Sequence, residues 1–323
     1  MKPSPQSVLV TGGAGFIGSH LVERLLGAGR RVVVIDDCST GSMSNLARVV
    51  GNARLEILPG QVSTCTTLSR VVAEADFVFH LAAAVGVELV VKSPIATIHN
   101  NLRETEALLE AASGKCVPVL VASTSEVYGK STNPEFAESD DLLIGPPHLG
   151  RWSYACSKLM DEFMALAYHR ERGVPVIITR FFNTVGPRQT GRYGMVLPRF
   201  IEAARLGEPL RVFGSGTQSR CFCLVHDTVE ALCRLMETTS ARGEVVNIGG
   251  TEETTIDALA QLVIQELGSK STLTHVPYAT AYAPGFEDMH RRRPSVEKLK
   301  RLTGFRPDTS LREIVRVTAA SGK

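Results

Sequence analysis

The chain has 323 residues, 44% of them hydrophobic, enough to bury a sizeable core in one large or two modest domains. A formal charge of +2 gives no whole-molecule electrostatic case for nucleic acid or an anionic membrane as partner. Seven cysteines without CxxC pairs or a CxxC/HxxxH arrangement read as reduced structural thiols; this predicts no metal site and a cytoplasmic location.

In chain order, Val8–Val10 reads as a buried strand and Phe16–Leu26 as a helix, joined by the turn Thr11-Gly12-Gly13-Ala14-Gly15-Phe16-Ile17-Gly18. A turn of this kind binds a pyrophosphate only if bare backbone N–H groups can approach it, so Gly12, Gly15 and Gly18, spaced GxxGxxG, are expected to supply that approach. The next strand ends at Asp36, roughly twenty residues on, where a carboxylate would accept hydrogen bonds from the adenosine ribose. Asp36 and Asp37 repel a 2′-phosphate, and no basic residue follows them, so NAD is expected over NADP.

Further strands are predicted at Leu55–Leu58, Phe77–Leu81, Val117–Ala122 and Val176–Arg180, with amphipathic stretches at Thr105–Ala112 and Tyr154–His169. This alternation implies an α/β fold with a doubly wound, mostly parallel Rossmann sheet and ligands at the carboxyl ends of its strands. The apolar run from Leu81 to Val91 is broken by Glu88, and neither a membrane span nor a signal peptide is expected. Beyond residue 183 the rhythm breaks, with helices predicted at Val196–Leu206, Asp227–Glu237 and Ile256–Leu267. Residues 1–183 are expected to hold the dinucleotide, with a return of the chain at about 222–249, and 184–323 to form mainly a smaller α/β domain capping it.

The strand Val119 to Ala122 runs into Ser123-Thr124-Ser125-Glu126, hydroxyls and one carboxylate that would open onto the nicotinamide and a reacting sugar. Thr124 would hydrogen-bond the oxygen being oxidised, with Ser125 and Glu126 at the far end of the sugar. Tyr154 and Lys158, four apart, lie one helical turn from each other on one face. A nearby ammonium and a positive nicotinamide ring both favour phenolate, so the pair is expected to remove a proton from a sugar hydroxyl. Arg291-Arg292-Arg293-Pro294 reads either as a solvated basic surface or as an anion clamp.

On these residues, together with His80-Leu81-Ala82-Ala83, Asn101 with Thr105, Phe182-Asn183-Thr184-Val185-Gly186-Pro187-Arg188, Gly214 to Arg220 and Asn247-Ile248-Gly249, the chain resembles an extended short-chain dehydrogenase/reductase of the nucleotide-sugar class over essentially its whole length. The resemblance implies oxidation at C4 of a nucleotide sugar by bound NAD, and a homodimer paired through helices at Asn101–Ala112 and Tyr154–Arg170. It implies cofactor contacts from Phe16, Ile17, Ser39, Thr40, Gly41, Gln61, Val62, Leu81, Ala82, Ala83 and Asn101, besides the glycines, the two aspartates, Tyr154 and Lys158. It implies substrate contacts from Val85, Glu126, Asn183, Arg188, Val196, Arg220 and Arg292, with Asn183 and Arg220 on the diphosphate.

Within the family, Ser123-Thr124-Ser125-Glu126 is similar to both UDP-glucuronate decarboxylases and GDP-mannose 4,6-dehydratases, and three further stretches resemble the decarboxylases: Ile144-Gly145-Pro146 followed by Arg151-Trp152-Ser153-Tyr154, Pro187-Arg188 leading to Gly207-Glu208-Pro209-Leu210, and Tyr282 to Ser295. In those enzymes the arginine matching Arg292 assists loss of the carboxylate. Three stretches depart from the pattern: Gln61 replaces an acid that touches adenine, predicting weaker cofactor retention; Glu104 replaces a frequent glycine; and Ala84 to Glu88 is more similar to epimerases. UDP-glucuronate decarboxylation is therefore expected, with 4-epimerisation, 4,6-dehydration and a catalytically dead NAD sensor as alternatives.

Overall fold

Runs such as Val8–Val10 and Val32–Ile35 are apolar at every position and fold only where both faces are covered; they form the middle of a parallel sheet. The computed structural model describes residues 6–83, 93–191, 195–281, 289 and 291–320. In chain order come β1 (Ser7–Thr11), α1 (Phe16–Gly27), β2 (Arg31–Asp36), β3 (Leu55–Pro59), α2 (Leu68–Glu74), β4 (Phe77–His80), α3 (Pro94–Ser113), β5 (Val119–Thr124), α4 (Trp152–Arg172) and β6 (Val176–Phe181). After them come β7 (Thr184–Val185), α5 (Val196–Leu206), β8 (Leu210–Phe213), β9 (Ser219–Cys221), β10 (Cys223–Leu224), α6 (Val225–Glu237) and β11 (Glu244–Ile248). The chain closes with β12 (Glu253–Thr255), α7 (Ile256–Leu267), β13 (Leu273–Val276), α8 (Tyr278–Ala281), β14 (Arg291–Arg292), α9 (Glu297–Thr303) and α10 (Leu311–Ala320).

The central sheet has seven strands in the order β11-β6-β5-β4-β1-β2-β3, all parallel, as the alternation of strands and helices predicts. Its direction of growth reverses between β1 and β4, which opens a crevice at their carboxyl ends. Alternate residues feed opposite layers. Val8 and Val10 pack with Leu21, Val22, Leu232, Leu235 and Leu299 of α1, α6 and α9. Leu9, Val33 and Val78 pack with Val71, Leu108, Leu109 and Ala165 of α2, α3 and α4 on the other side. A separate core joins α5, α7 and α10 through Leu197, Phe200, Leu259, Val263 and Ile314.

The helices at Val196–Leu206 and Ile256–Leu267 have the predicted bounds. The strand expected from Val117 begins two residues later, at Val119, because the turn before it carries Cys116 at φ 48° and Pro118. The helix expected over Thr105–Ala112 starts at Pro94, a residue whose fixed φ and missing N–H suit the first helical turn. Its first half, rich in β-branched and amide residues, hides the helical period. Short ladders tie the last third to the cleft, and in one of them β14 pairs with β9 so that Arg292 lies opposite Arg220.

Candidate active site

A cleft of about 800 Å³ opens at the crevice, and it is lined by every site residue anticipated above except Val85, which lies outside the described residues, as do residues 84–92 and 282–288 generally. At one end, the turn from β1 into α1 divides its glycines between packing and exposure. A Cβ on Gly18 would stand 2.1 Å from the Gly12 carbonyl oxygen, and one on Gly12, at φ 73°, 2.7 Å from the Ala82 nitrogen. These two let the turn close on itself and on the end of β4. Gly15 is the open one: its Cβ would meet only the Gly12 oxygen, at 3.1 Å, and would otherwise point into free space. Gly15 is also the N-cap of α1, and no side chain caps that helix, so its first N–H groups are left for an anion. All three glycines border the cleft; Gly12 and Gly18 are the ones whose missing Cβ the neighbouring backbone needs, and Gly15 is the one with an open face.

The Asp36 carboxylate accepts from the Ala14 and Cys38 N–H groups, both at 2.8 Å, and so bridges the turn and the loop after β2. The Gly15 N–H also acts on this carboxylate, which has acceptor capacity left for a ribose hydroxyl. Burial raises its pKa, against the pull of those N–H groups. Asp37 moves the other way: burial pushes it up, but hydrogen bonds from Ser39 and from the Gln61 amide outweigh that and hold it low. Gln61 thus spends an N–H on Asp37. Glu104, on α3, accepts from both the Ser63 amide (3.1 Å) and the Ser63 hydroxyl, closing this wall of the cleft with a carboxylate that the usual glycine would lack. An uncapped helix N-terminus, a bare Gly15 and a ribose-facing carboxylate fit the adenosine diphosphate of NAD. Bound there, NAD supplies a two-electron oxidant.

Deeper in, the start of α4 sets Tyr154 beside the end of β5. The Thr124 hydroxyl accepts from the Glu126 amide at 3.2 Å and hydrogen-bonds the Tyr154 phenol. Asn101 of α3 donates to the Ser157 hydroxyl at 3.0 Å, which fixes α4 against α3. Lys158 is almost wholly buried and binds the Asp161 carboxylate at 2.7 Å. The sequence pairs this ammonium with the nicotinamide ring as influences toward phenolate; the structure adds the influences that act the other way. Burial first, then the charges of Glu126 and Asp161, push Tyr154 well above the ordinary tyrosine value, against the hydrogen bond with Thr124. In the protein alone these influences favour the neutral phenol, and a positively charged nicotinamide beside it would act in the opposite direction.

Behind this pair, His80 bridges Thr11 (2.8 Å) and Thr105 (3.2 Å) through its two ring nitrogens. Burial, with the nearby Lys158, pushes its pKa down to about 3. Because the unfolded chain binds this proton near pH 6.5, the stability held by neutral His80 is complete above that value and lost as pH falls toward about 3. Urea unfolding should show a loss on the order of 2 kcal/mol between about pH 7 and about pH 5, and His80→Asn should flatten that slope.

At the sugar end, Ser125 is buried, and Glu126 faces Arg292 across 3.6 Å, each side chain about one-sixth exposed. Arg220, opposite Arg292 in the ladder, donates to the Ser219 carbonyl at 2.7 Å. Asn183, at φ 36°, donates to the Cys221 carbonyl at 2.9 Å, so its amide is held by β9. Arg188 lines the cleft, but its guanidinium binds Glu23 (2.6 Å) and Ser19 (3.1 Å) of α1. Sequence reasoning missed Asp161 and the Glu162–Arg180 pair (2.7 Å), into which Ser123 also donates. The spacing of Asp161 three residues after Lys158, on the same helical face, was the available signal.

Comparison with known proteins agrees with this geometry. The model of the NAD-dependent epimerase/dehydratase family matches residues 8–249. A UDP-N-acetyl-alpha-D-glucosaminuronate decarboxylase of Bacillus cytotoxicus is 42% identical over 303 residues, covering 94% of this chain and 93% of that protein. UDP-glucuronic acid decarboxylase 1 of Danio rerio is 36% identical over 312 residues, covering 95% of this chain and 70% of the relative. Among solved structures, UDP-glucuronic acid 4-epimerase of Bacillus cereus, in complex with UDP-glucuronic acid and NAD, superposes with a TM-score of 0.87 at 31% identity over 98% of both chains.

Proposed function

The chain belongs to the NAD-dependent epimerase/dehydratase family, and from that premise we propose that it decarboxylates a UDP-hexuronate, either UDP-glucuronate or its 2-acetamido counterpart. The observation that carries this reading is the Arg292–Glu126 pair, an anion-binding cation and a carboxylate set beside each other in the cleft that holds Tyr154. Tyr154 takes the proton of the C4 hydroxyl as C4 is oxidised, NAD bound in the cleft being the group that would accept the C4 hydride, and Thr124 holds the same oxygen. The resulting ketone lies β to the C6 carboxylate. The C5–C6 bond then breaks with its electrons moving into the enolate of the C4 ketone, CO2 leaves, and Glu126 or a water it holds returns a proton to C5. Arg292 and Ser125 orient the carboxylate before it departs; Arg220 and Asn183 grip the diphosphate. Residues 1–183 with the return at about 222–249 serve the cofactor in this reading, and most of 184–323 serves the sugar nucleotide.

Epimerisation at C4 shares the oxidation step and keeps the carboxylate, so it is the rival that product mass decides. NAD-loaded protein is incubated separately with UDP-glucuronate, UDP-N-acetylglucosaminuronate, UDP-glucose and GDP-mannose. A product lighter than the uronate by CO2 when the C4 ketone is reduced again, or by CO2 and two hydrogens when it is kept, is the expected result; an isomer of unchanged mass establishes epimerisation, and loss of water establishes dehydration.

A homodimer belongs to the same proposal. Both α3 and α4 carry large apolar side chains in the open, Ile95 at 83% exposure and Phe163 at 58%, with Ile98 and Met160 beside them in sequence at helical spacing. Sedimentation should return twice the 34.9 kDa chain mass, and a single chain mass would remove this part. All seven cysteines are free thiols, which suits the reducing cytoplasm proposed as its location, and no helix among the described residues is long and apolar enough to cross a membrane.

A further inference from the structure

The buried acid beneath the Tyr154/Lys158 pair has no part in the steps above. Asp161 is fully buried and binds the Lys158 ammonium at 2.7 Å, one helical turn further into α4. Its neighbour Glu162 already has a cation, Arg180 of β6, so the two adjacent carboxylates serve different partners. Around Asp161, α3 brings the Thr105 hydroxyl, which hydrogen-bonds the carboxylate and in turn the His80 ring of β4, and the neighbouring Glu162 brings a like charge. Lys158 is thus the cation Asp161 meets, and Asp161 the carboxylate that meets Lys158 directly.

We propose that Asp161 is a positioning residue for the base: it anchors the Lys158 ammonium and offsets its charge, so that Tyr154 stays protonated until a positively charged cofactor lies beside it. A lone ammonium in this dry setting would pull the phenol toward phenolate against its burial, whether or not the cofactor was present in its oxidised form. With the carboxylate at 2.7 Å, the pair presents little net charge to the phenol. The upward shift of the Tyr154 pKa, with Asp161 among its causes after burial and Glu126, agrees with that arrangement.

The inference rests on Tyr154 being the base of the proposed reaction and is indifferent to which sugar is consumed. Asp161→Asn keeps the shape and removes the charge. It should lower the acid limb of the kcat/KM profile by about one pH unit. The same shift should appear in the ultraviolet titration of the Tyr154 phenol in cofactor-free protein, taken as the difference from Tyr154→Phe. That titration needs no substrate, so a wrong assignment of the reaction leaves it readable. Asp161→Ser, which leaves room for water beside Lys158, should shift the phenol in the same direction. An unmoved phenol titration in a folded variant overturns the inference. So does failure of both variants to fold, since Asp161 would then be a structural counter-ion.

Discussion

Tyr154→Phe should lower kcat by about a thousandfold while leaving NAD affinity and folding close to those of the native chain, because a positioned acid–base group contributes that order of rate. The ring is partly buried and its phenol hydrogen-bonds Thr124, so the variant loses one hydrogen bond, worth about 1 kcal/mol, and no packing volume. The measurement pairs turnover on the accepted sugar nucleotide with calorimetric NAD titration. Loss of turnover with NAD binding retained marks an enzyme whose base has been removed. A variant with undiminished turnover would show that another group takes the proton. A native chain that binds NAD and turns over no sugar nucleotide would return the reading to an NAD-sensing protein.

The glycine-rich turn gives the second large effect, and it separates two roles. Gly18→Ala places a methyl 2.1 Å from the Gly12 carbonyl and 2.8 Å from the Gly13 Cα, both backbone atoms that cannot turn aside. The turn must open, so stability should fall by about 1–3 kcal/mol and NAD binding should fail with it. Gly15→Ala meets only the Gly12 oxygen, at 3.1 Å, and should fold nearly as well as the native chain. Its methyl would stand where the pyrophosphate approaches, and NAD affinity should drop about a hundredfold, close to 2.7 kcal/mol. Thermal unfolding and NAD titration of the two variants check the division. Equal destabilisation of both would contradict it.

Much of this architecture was legible in the chain because its central strands are apolar without interruption and its helices are amphipathic. Val8–Val10 and Val32–Ile35 announce a sheet covered on both faces, and Ile256–Leu267 announces its own bounds through a Thr255 cap and a following Gly268. The ladders of the last third were not legible. β7, β10 and β14 are two residues long, too short for any period, and their partners are set by packing far along the chain. Yet one of them brings Arg292 opposite Arg220 and beside Glu126. The cleft residues were readable from motif chemistry, whereas their electrostatics were not. Spacing placed Lys158 beneath Tyr154, but only the packed helix shows Asp161 offsetting that ammonium. Likewise Glu104 reads as an odd replacement until its carboxylate is seen holding Ser63 at the cofactor wall.

The central claim is that oxidation at C4 leads to loss of C6 as CO2. A UDP-hexuronate isotopically labelled at its carboxyl carbon, incubated in heavy water with the NAD-loaded protein, tests it directly. The account predicts labelled CO2 released in step with consumption of the uronate, and one deuterium at C5 of the sugar that remains. Recovery of the label in an intact uronate with C4 inverted would contradict it.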